Sequence, residues 1–419
     1  MFSNLSIQSF VLNHGERYCL LVDSDSGIPS FYPNLYVTTQ VRNRSHSFST
    51  MEAALGAVSV LFKFLTENKI NLLQRFKAGK FLLTGEVDNL ADFCQKNFRI
   101  SSVSKVVAIK KSLKSKAVSS STTYARLTYI SDYLNWFAIY VNERTLTKEK
   151  RMAIEAMTGM IKVRRPQKKG KNLAMIEKGL TDNEVEVLFE IFRPESDLNP
   201  FTGQATKVRN RLIFLILYHL GIRSGELLNI KVRDIDFGSN QIVIARRADE
   251  KDDPRVDQPL VKTQDRRIPI TDVLSQELHN YIMNFRRKVP NARKNEYLLV
   301  VHKSGPTQGS PISKSTYNKI IGIVRGVSPT LCNFTGHGLR HKWNERFSEL
   351  MDTMDNIQDE AKQEQMRSWL MGWKQGSGTS STYNQRFIQR KANEAAIELQ
   401  NAGIRVPASI LDDEDDLPW

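Results

Sequence analysis

The chain is 419 residues long, more than one ordinary hydrophobic core accommodates and enough for two or three domains. Hydrophobic residues at 40% and charged residues at 25% exclude wholesale disorder and a fibrous fold. Sixty Lys and Arg against 45 Asp and Glu leave a net charge of +15, which predicts a polyanionic partner, nucleic acid ahead of an anionic membrane surface.

No run reaches the roughly eighteen uninterrupted apolar residues of a membrane span, and the opening MFSNLSIQSFVLNHGERY lacks the basic, apolar, small-residue order of a signal peptide. A cytoplasmic location without a membrane partner is expected. Cys19, Cys94 and Cys332 are far apart with no CxxC pair, so reduced thiols are expected rather than a disulfide framework or a zinc site.

In chain order, residues 1–45 hold two β-branched and aromatic runs, RYCLLVD and NLYVTTQVR, broken by the turn-rich DSDSGIPS. They predict a β-rich N-terminal segment of two or three short strands. From STMEAALGAVSVLFKFLTENK the period becomes helical, with Leu55, Val58, Phe62 and Leu65 on one face behind a Ser49/Thr50 cap. STTYARLTYISDYLNWFAIYVNER repeats that pattern after the basic run KKSLKSKAV, which supplies Lys110, Lys111, Lys114 and Lys116. Residues 46–161 are therefore expected to form a helical domain with a basic edge. KVRRPQKKGKN then combines Pro166 and Gly170 with six basic residues and no apolar period, so residues 162–180 read as a basic linker. Arg164, Arg165, Lys168, Lys169 and Lys171 are its candidate DNA contacts.

The second domain, residues 181–400, opens with a capping box at Thr181 and Glu184 and continues into KVRNRLIFLILYHLG, a buried helix ended by Gly221. NQIVIARR and RRIPIT are strand-like and are joined by the polar ADEKDDPRVDQPLVKTQD. Helices follow to about residue 400, and the tail, residues 401–419, carries five consecutive acids in DDEDD.

Four stretches of this domain carry candidate chemistry. In GIRSGELLNIKVRDID, Gly221 ends one helix, Ser224 is placed to cap the next, and Arg223 falls at the corner, with Glu226 three residues on to brace it. A guanidinium fixed there offers a fork of donors matched to two phosphate oxygens, although a surface Arg–Glu pair has the same spacing. In HGLRH, His337 and Arg340 share one helix face while Leu339 turns inward. LVKTQDRRIPI sets Lys262 before a turn between strands, and LMGWKQGSGTSSTYNQRF sets Trp373 and Tyr383 beyond a helix.

In order and in residue type these four motifs resemble the tyrosine recombinases, also called phage integrases, over about residues 181–396. The resemblance implies a mainly α fold with a small β-sheet (α+β): a helical core-binding domain followed by a mixed α/β catalytic domain. It implies that Arg223 and Arg340 clamp the non-bridging oxygens of a scissile phosphodiester, where charge accumulates in the transition state. Tyr383 would be the nucleophile, His337 the acceptor or orienter of its proton, and Lys262 the proton donor to the departing 5′ oxygen. Trp373 would donate its indole N–H to the phosphate, and Glu226 would orient Arg223 without touching DNA. The product would be a 3′-phosphotyrosine and a free 5′ hydroxyl, formed with no metal and no cofactor. The implied partners are double-stranded DNA recombination sites and further copies of the chain, a dimer on each site and a tetramer at the synapse, joined through the C-terminal tail.

Two features depart from the family pattern. Arg340 and Tyr383 are 43 residues apart, longer than usual, which leaves cleavage in cis open. The polar insert before Lys262 is also long and makes Lys251 a competitor for its role. The alternatives are strand relaxation by a type IB topoisomerase-like enzyme and a catalytically silent DNA-binding regulator. All six polar residues are present, which speaks against the silent regulator.

Overall fold

A computed structural model describes residues 4–98, 117–167, 179–261, 263–353, 360–374 and 391–400. The chain forms two compact units, Met1–Lys171 and Asn172–Trp419, each with its own apolar core.

The first unit opens with an antiparallel hairpin, β1 (Leu5–Val11) and β2 (Arg17–Asp23), in which Leu5 faces Asp23 and Val11 faces Arg17. Helices α1 (Phe31–Tyr36), α2 (Phe48–Glu67), α3 (Leu72–Lys77), α4 (Thr84–Gln95), α5 (Ser120–Val141) and α6 (Lys148–Val163) complete it. NLYVTTQVR, expected as a strand, is helical: α1 runs on into a π-helical turn at Val37–Val41 and a 3-10 turn at Arg42–Arg44. Packing overrides the β propensity of this run. Asn34 clasps both main-chain groups of Leu21, accepting from its N–H at 2.8 Å and donating to its carbonyl at 2.9 Å. The Thr38 and Thr39 hydroxyls donate to carbonyls four residues back, and Tyr36, Val37 and Val41 bury at helical spacing in the same core as Cys19, Leu21, α2 and α5. The N-terminal residues thus share one core with the helices that follow.

The α2 helix starts at Phe48 behind Ser47, two residues earlier than the Ser49/Thr50 cap expected. Among the described helices it alone is long and apolar enough to cross a membrane, yet ten of its twenty residues are buried against the rest of the unit, so it is the core helix here. Burial pushes the Cys19 and Cys94 thiols up to about 12 and keeps them protonated. The α6 helix extends to Val163, so Lys162 belongs to its last turn rather than to a linker. Arg164 pairs with Asp88 and donates to the Met160 carbonyl at 2.9 Å. Arg165 caps the Lys162 carbonyl at 3.0 Å and lies 4.8 Å from the Tyr124 ring centre. Both arginines are engaged within the helical unit. Lys110, Lys111, Lys114, Lys116, Lys168, Lys169 and Lys171 lie outside the described residues.

The second unit contains α7 (Asp182–Ile191), α8 (Gln204–Leu220), α9 (Ser224–Leu227), β3 (Ile235–Asp236), β4 (Gln241–Ile244), β5 (Arg266–Pro269), α10 (Asp272–Asn280), α11 (Lys314–Arg325), α12 (Gly336–Thr353) and α13 (Glu360–Met371). A further helix spans residues 391–400. The Thr181 capping box forms as its sequence dictates: Thr181 accepts the Glu184 N–H at 3.2 Å while Glu184 accepts the Thr181 N–H at 2.7 Å. The sheet is antiparallel in the order β3–β4–β5, with Ile242 opposite Ile268. The polar insert between β4 and β5 is not a loose loop. Arg255 is buried on Asp253 and donates to the carbonyls of Leu228 and Ile312, both at 3.0 Å, which pins the insert to the helical core.

Candidate active site

Gly221 and Glu226 build the corner at which the site begins. Gly221 ends α8 with φ +59°, and a Cβ there would fall 2.7 Å from the Trp343 ring, so both its backbone and its neighbour require glycine. Trp343 on α12 is held against the same corner by its indole N–H, which donates to the His219 carbonyl at 2.9 Å. Arg223 itself, rather than Ser224, is the N-cap of α9, and its backbone N–H donates to Glu226 at 2.9 Å. The side chain of Arg223 is left 28% exposed, with Nη1 3.7 Å from Glu226.

Glu226 is fully buried and ties two other stretches to this corner. It accepts the Thr263 hydroxyl from the approach to β5 and the Arg266 guanidinium at 3.1 Å from β5 itself. Burial opposes its charge, and Arg266, Thr263, Arg340 and the Arg223 N–H outweigh that and hold its pKa below the ordinary carboxylate value. Stranding such a charge by removing one partner costs about 3–5 kcal/mol. Arg266 also donates to the Leu370 carbonyl at 2.6 Å, and the Gln264 N–H donates to the Gly372 carbonyl at 3.1 Å, so the end of α13 is stitched to the same strand.

The α12 helix brings His337 and Arg340 to the corner from the other side. Arg340 is almost fully buried: it donates to the Gly221 carbonyl at 2.7 Å and to the Met371 carbonyl at 3.3 Å. Asn344, one turn on, donates to the Arg340 carbonyl at 2.8 Å. The Trp373 ring lies 5.4 Å from the Arg340 guanidinium and is itself only 5% exposed. The structure sets the Trp373 ring against Arg340. His337 is exposed at the start of α12, with its ring centre 5.0 Å from that of His341. Partial loss of solvent, then the charges of Arg340 and Arg223, hold its pKa below the ordinary imidazole value. His337 lies one turn before Arg340 on α12, and Arg340 donates to Gly221, two residues before Arg223, so the fold brings the three residues to one corner.

Of the residues singled out in the sequence, Arg223, Glu226, His337, Arg340 and Trp373 meet here. Lys262 and Tyr383 lie outside the described residues, although Thr263, next to Lys262 in the chain, is fixed on Glu226. Lys251 is exposed on the insert. Among the described residues no group of three His, Cys, Asp or Glu side chains could hold a metal ion. Thr263, Arg266, Trp343 and Asn344 escaped sequence reasoning as members of the site. Each lies inside a quoted motif or beside it, but only the fold shows what it touches. Chemically, the site offers two clustered guanidiniums and a neutral imidazole, an arrangement suited to a phosphate diester.

A model of the phage integrase family matches residues 178–390, more than half of the chain. Tyrosine recombinase XerC of Staphylococcus aureus (strain USA300) is 27% identical over 160 residues, covering 38% of this chain and 44% of that protein. XerC of strain JH9 is 26% identical over the same length. The chain thus spans less than half the length of these curated relatives. Among solved structures, the XerA recombinase shares 15% identity over 84% of this chain and 92% of its own, with a TM-score of 0.33. The Tn1549 transposon integrase in complex with circular intermediate DNA shares 13% over 84% and 94%, with a TM-score of 0.47. With the family model spanning the α7–α13 unit and the corner motifs inside it, the chain belongs to the phage integrase family, the tyrosine recombinases.

Proposed function

We propose that this protein is a site-specific DNA recombinase of the integrase or transposase type, which cleaves and rejoins strands through a 3′-phosphotyrosine intermediate. The observation that carries the reading is the convergence of Arg223, Arg340 and His337 on the Glu226 corner. In this reading the Tyr383 oxygen attacks the scissile phosphorus and the bond to the 5′ oxygen breaks. His337 takes or orients the tyrosine proton, and Lys262 gives a proton to the departing oxygen. Arg340 supplies positive charge from a fixed, buried seat, while Arg223 supplies the open fork. Trp373, packed on Arg340, gives its indole N–H as one more donor to the phosphate. Because the phenol ionises only near pH 10 in isolation, its deprotonation depends on this cationic surrounding.

The substrate is double-stranded DNA at recombination sites, and the net charge of +15 supports it. The lysines at 110, 111, 114, 116, 168, 169 and 171 are its proposed backbone contacts. Assembly into a dimer on each site and a tetramer at the synapse would run through the C-terminal tail. The exposure of Leu399, 74%, and Ile397, 57%, in the helix just before that tail supports an apolar face awaiting a neighbour. A DNA-associated place in the cytoplasm belongs to the same reading.

Incubation with a nicked suicide duplex tests the chemistry. Tyr383→Phe should leave DNA affinity nearly intact and abolish the covalent adduct, and Arg223→Ala should slow adduct formation on the order of a hundredfold. An adduct that survives Tyr383→Phe at a normal rate would assign the nucleophile to another tyrosine.

The pH dependence follows from His337. A base whose pKa is lowered stays neutral, and able to accept a proton, from neutrality down past its ordinary value of 6.5. Adduct formation should therefore hold level through that value and fall only at more acidic pH, with the acidic limb lost in His337→Ala. A wild-type rate already half lost at pH 6.5 or above contradicts this role.

Assembly and DNA grip separate in two further measurements. A chain ending at residue 404 should bind a single site as well as the full chain but fail to form the synaptic complex in light scattering. Equal synapsis by the two chains excludes the tail as the docking element. Converting Lys168 and Lys169 to Gln should lower the slope of log affinity against log salt by about 0.9 for each DNA phosphate that is no longer neutralised, and an unchanged slope removes those lysines from the interface.

A further inference from the structure

Glu226 has two arginines beside it and treats them unequally. Arg266 holds the near seat, its Nη2 donating to Oε2 at 3.1 Å, and the Thr263 hydroxyl donates to Oε1. Arg223 Nη1 stands 3.7 Å from Oε1, an ion pair beyond hydrogen-bonding reach, and this buried nitrogen has no hydrogen-bond partner among the described residues. Exposure divides them in the same way, 2% for the Arg266 side chain against 28% for that of Arg223. Of the cations that keep Glu226 ionised against its burial, Arg266 acts most strongly and Arg340 next.

A buried carboxylate pulls hard on any cation within reach, because little solvent shares the field. If Arg266 did not neutralise Glu226, the Arg223 side chain, three residues away on the same turn, would close the remaining gap and turn its 3.7 Å ion pair into a direct hydrogen bond. A guanidinium paired with Glu226 has both fewer donors and less charge to offer an outside anion.

We propose that Arg266 is a positioning residue: it neutralises Glu226 so that the Arg223 guanidinium is not drawn onto that carboxylate and stays open to an external phosphate. The inference rests on the recombinase reading of Arg223. The seat of Arg266 is built for this purpose from two sides. Its Nε and Nη1 are fixed by the Leu370 carbonyl at 2.6 Å and the Thr263 oxygen at 3.1 Å, so its third arm is aimed at Glu226. Gly372, with φ +65°, presses the chain after α13 against it. A Cβ at Gly372 would come 2.7 Å from Arg266 Nη1, 2.9 Å from Thr263 Cβ and 3.0 Å from the Gln264 carbonyl. The arginine therefore has little room to swing away from the carboxylate.

The test uses the full-length chain, a nicked suicide duplex and saturating protein, with the single-turnover rate of adduct formation and DNA affinity read separately. Arg266→Gln should slow adduct formation nearly as much as Arg223→Ala, on the order of a hundredfold, while affinity changes only a few-fold. Arg266→Lys, which keeps a cation at Glu226, should lose no more than about tenfold, and Glu226→Gln combined with Arg266→Gln should recover at least about tenfold over Arg266→Gln alone. Neutralising a stranded Glu226 would also restore folding, so rates are compared only on protein shown folded by circular dichroism, where a purely structural arginine leaves Arg266→Gln reacting near the wild-type rate. A double variant as slow as Arg266→Gln, or a lysine variant as slow as the glutamine one, overturns the proposal. Where Arg266→Gln fails to fold by circular dichroism, the lysine and double variants decide. Both within about tenfold of wild type sustain the proposal, and either at the level of Arg223→Ala overturns it. A wild-type chain that forms no adduct removes the recombinase reading itself, whereas a wild type that reacts alongside variants of the wrong sign removes this inference alone.

Discussion

The site depends on one buried charge. Glu226 has no solvent to stabilise it, so the chain must bring donors to it, and it does so from three places: the corner after α8, the approach to β5, and β5 itself. Because Arg266 in turn grips the Leu370 carbonyl, the end of α13 is fixed to the same point. Segments more than a hundred residues apart in sequence are registered by a single carboxylate and the guanidinium that answers it.

A second tie runs through Arg340. Its donation to the Gly221 carbonyl locks α12 to the end of α8, and its donation to the Met371 carbonyl locks α12 to the end of α13. The two arginines of the site thus differ in kind. Arg340 is immobile and spends donors on the main chain, which fixes where its charge sits. The Arg223 side chain is 28% exposed, and its Nη1 is held by no hydrogen bond among the described residues. This division suits a phosphate that must first be attracted and then held in one geometry, since preorganised charge lowers a transition state more than mobile charge does.

Much of this was legible in the sequence, for identifiable reasons. Local rules with short range succeeded: the Thr181 capping box, the glycine that ends α8, the apolar period of α5 and α8, and the i, i+3 pairing of His337 with Arg340 all depend on residues a few positions apart. Long-range partners were hidden. Nothing in KTQDRRIPI says that Thr263 and Arg266 will meet a glutamate about forty residues earlier, and nothing in MGWK says that the tryptophan will turn inward onto Arg340. NLYVTTQVR misled because its β-branched residues are placed at helical spacing for a core that lies elsewhere in the chain, and Asn34 finds its partner in β2. Arg164 and Arg165 looked like linker residues because Pro166, Gly170 and the basic run stand beside them, while their partners Asp88 and Tyr124 lie far away in the chain.

The central claim is that the two guanidiniums act on the negative charge of a scissile phosphate. The most direct measurement replaces one non-bridging oxygen of that phosphate by a methyl group, which leaves it neutral, and compares adduct formation by wild type, Arg223→Ala and Arg340→Lys on the two substrates. Loss of a group that compensates charge matters little when there is no charge, so the penalty of Arg223→Ala, on the order of a hundredfold on the natural phosphate, should shrink to less than about tenfold on the neutral one. A penalty of the same size on both substrates would show that Arg223 shapes the site without acting on the phosphate, and would contradict the claim.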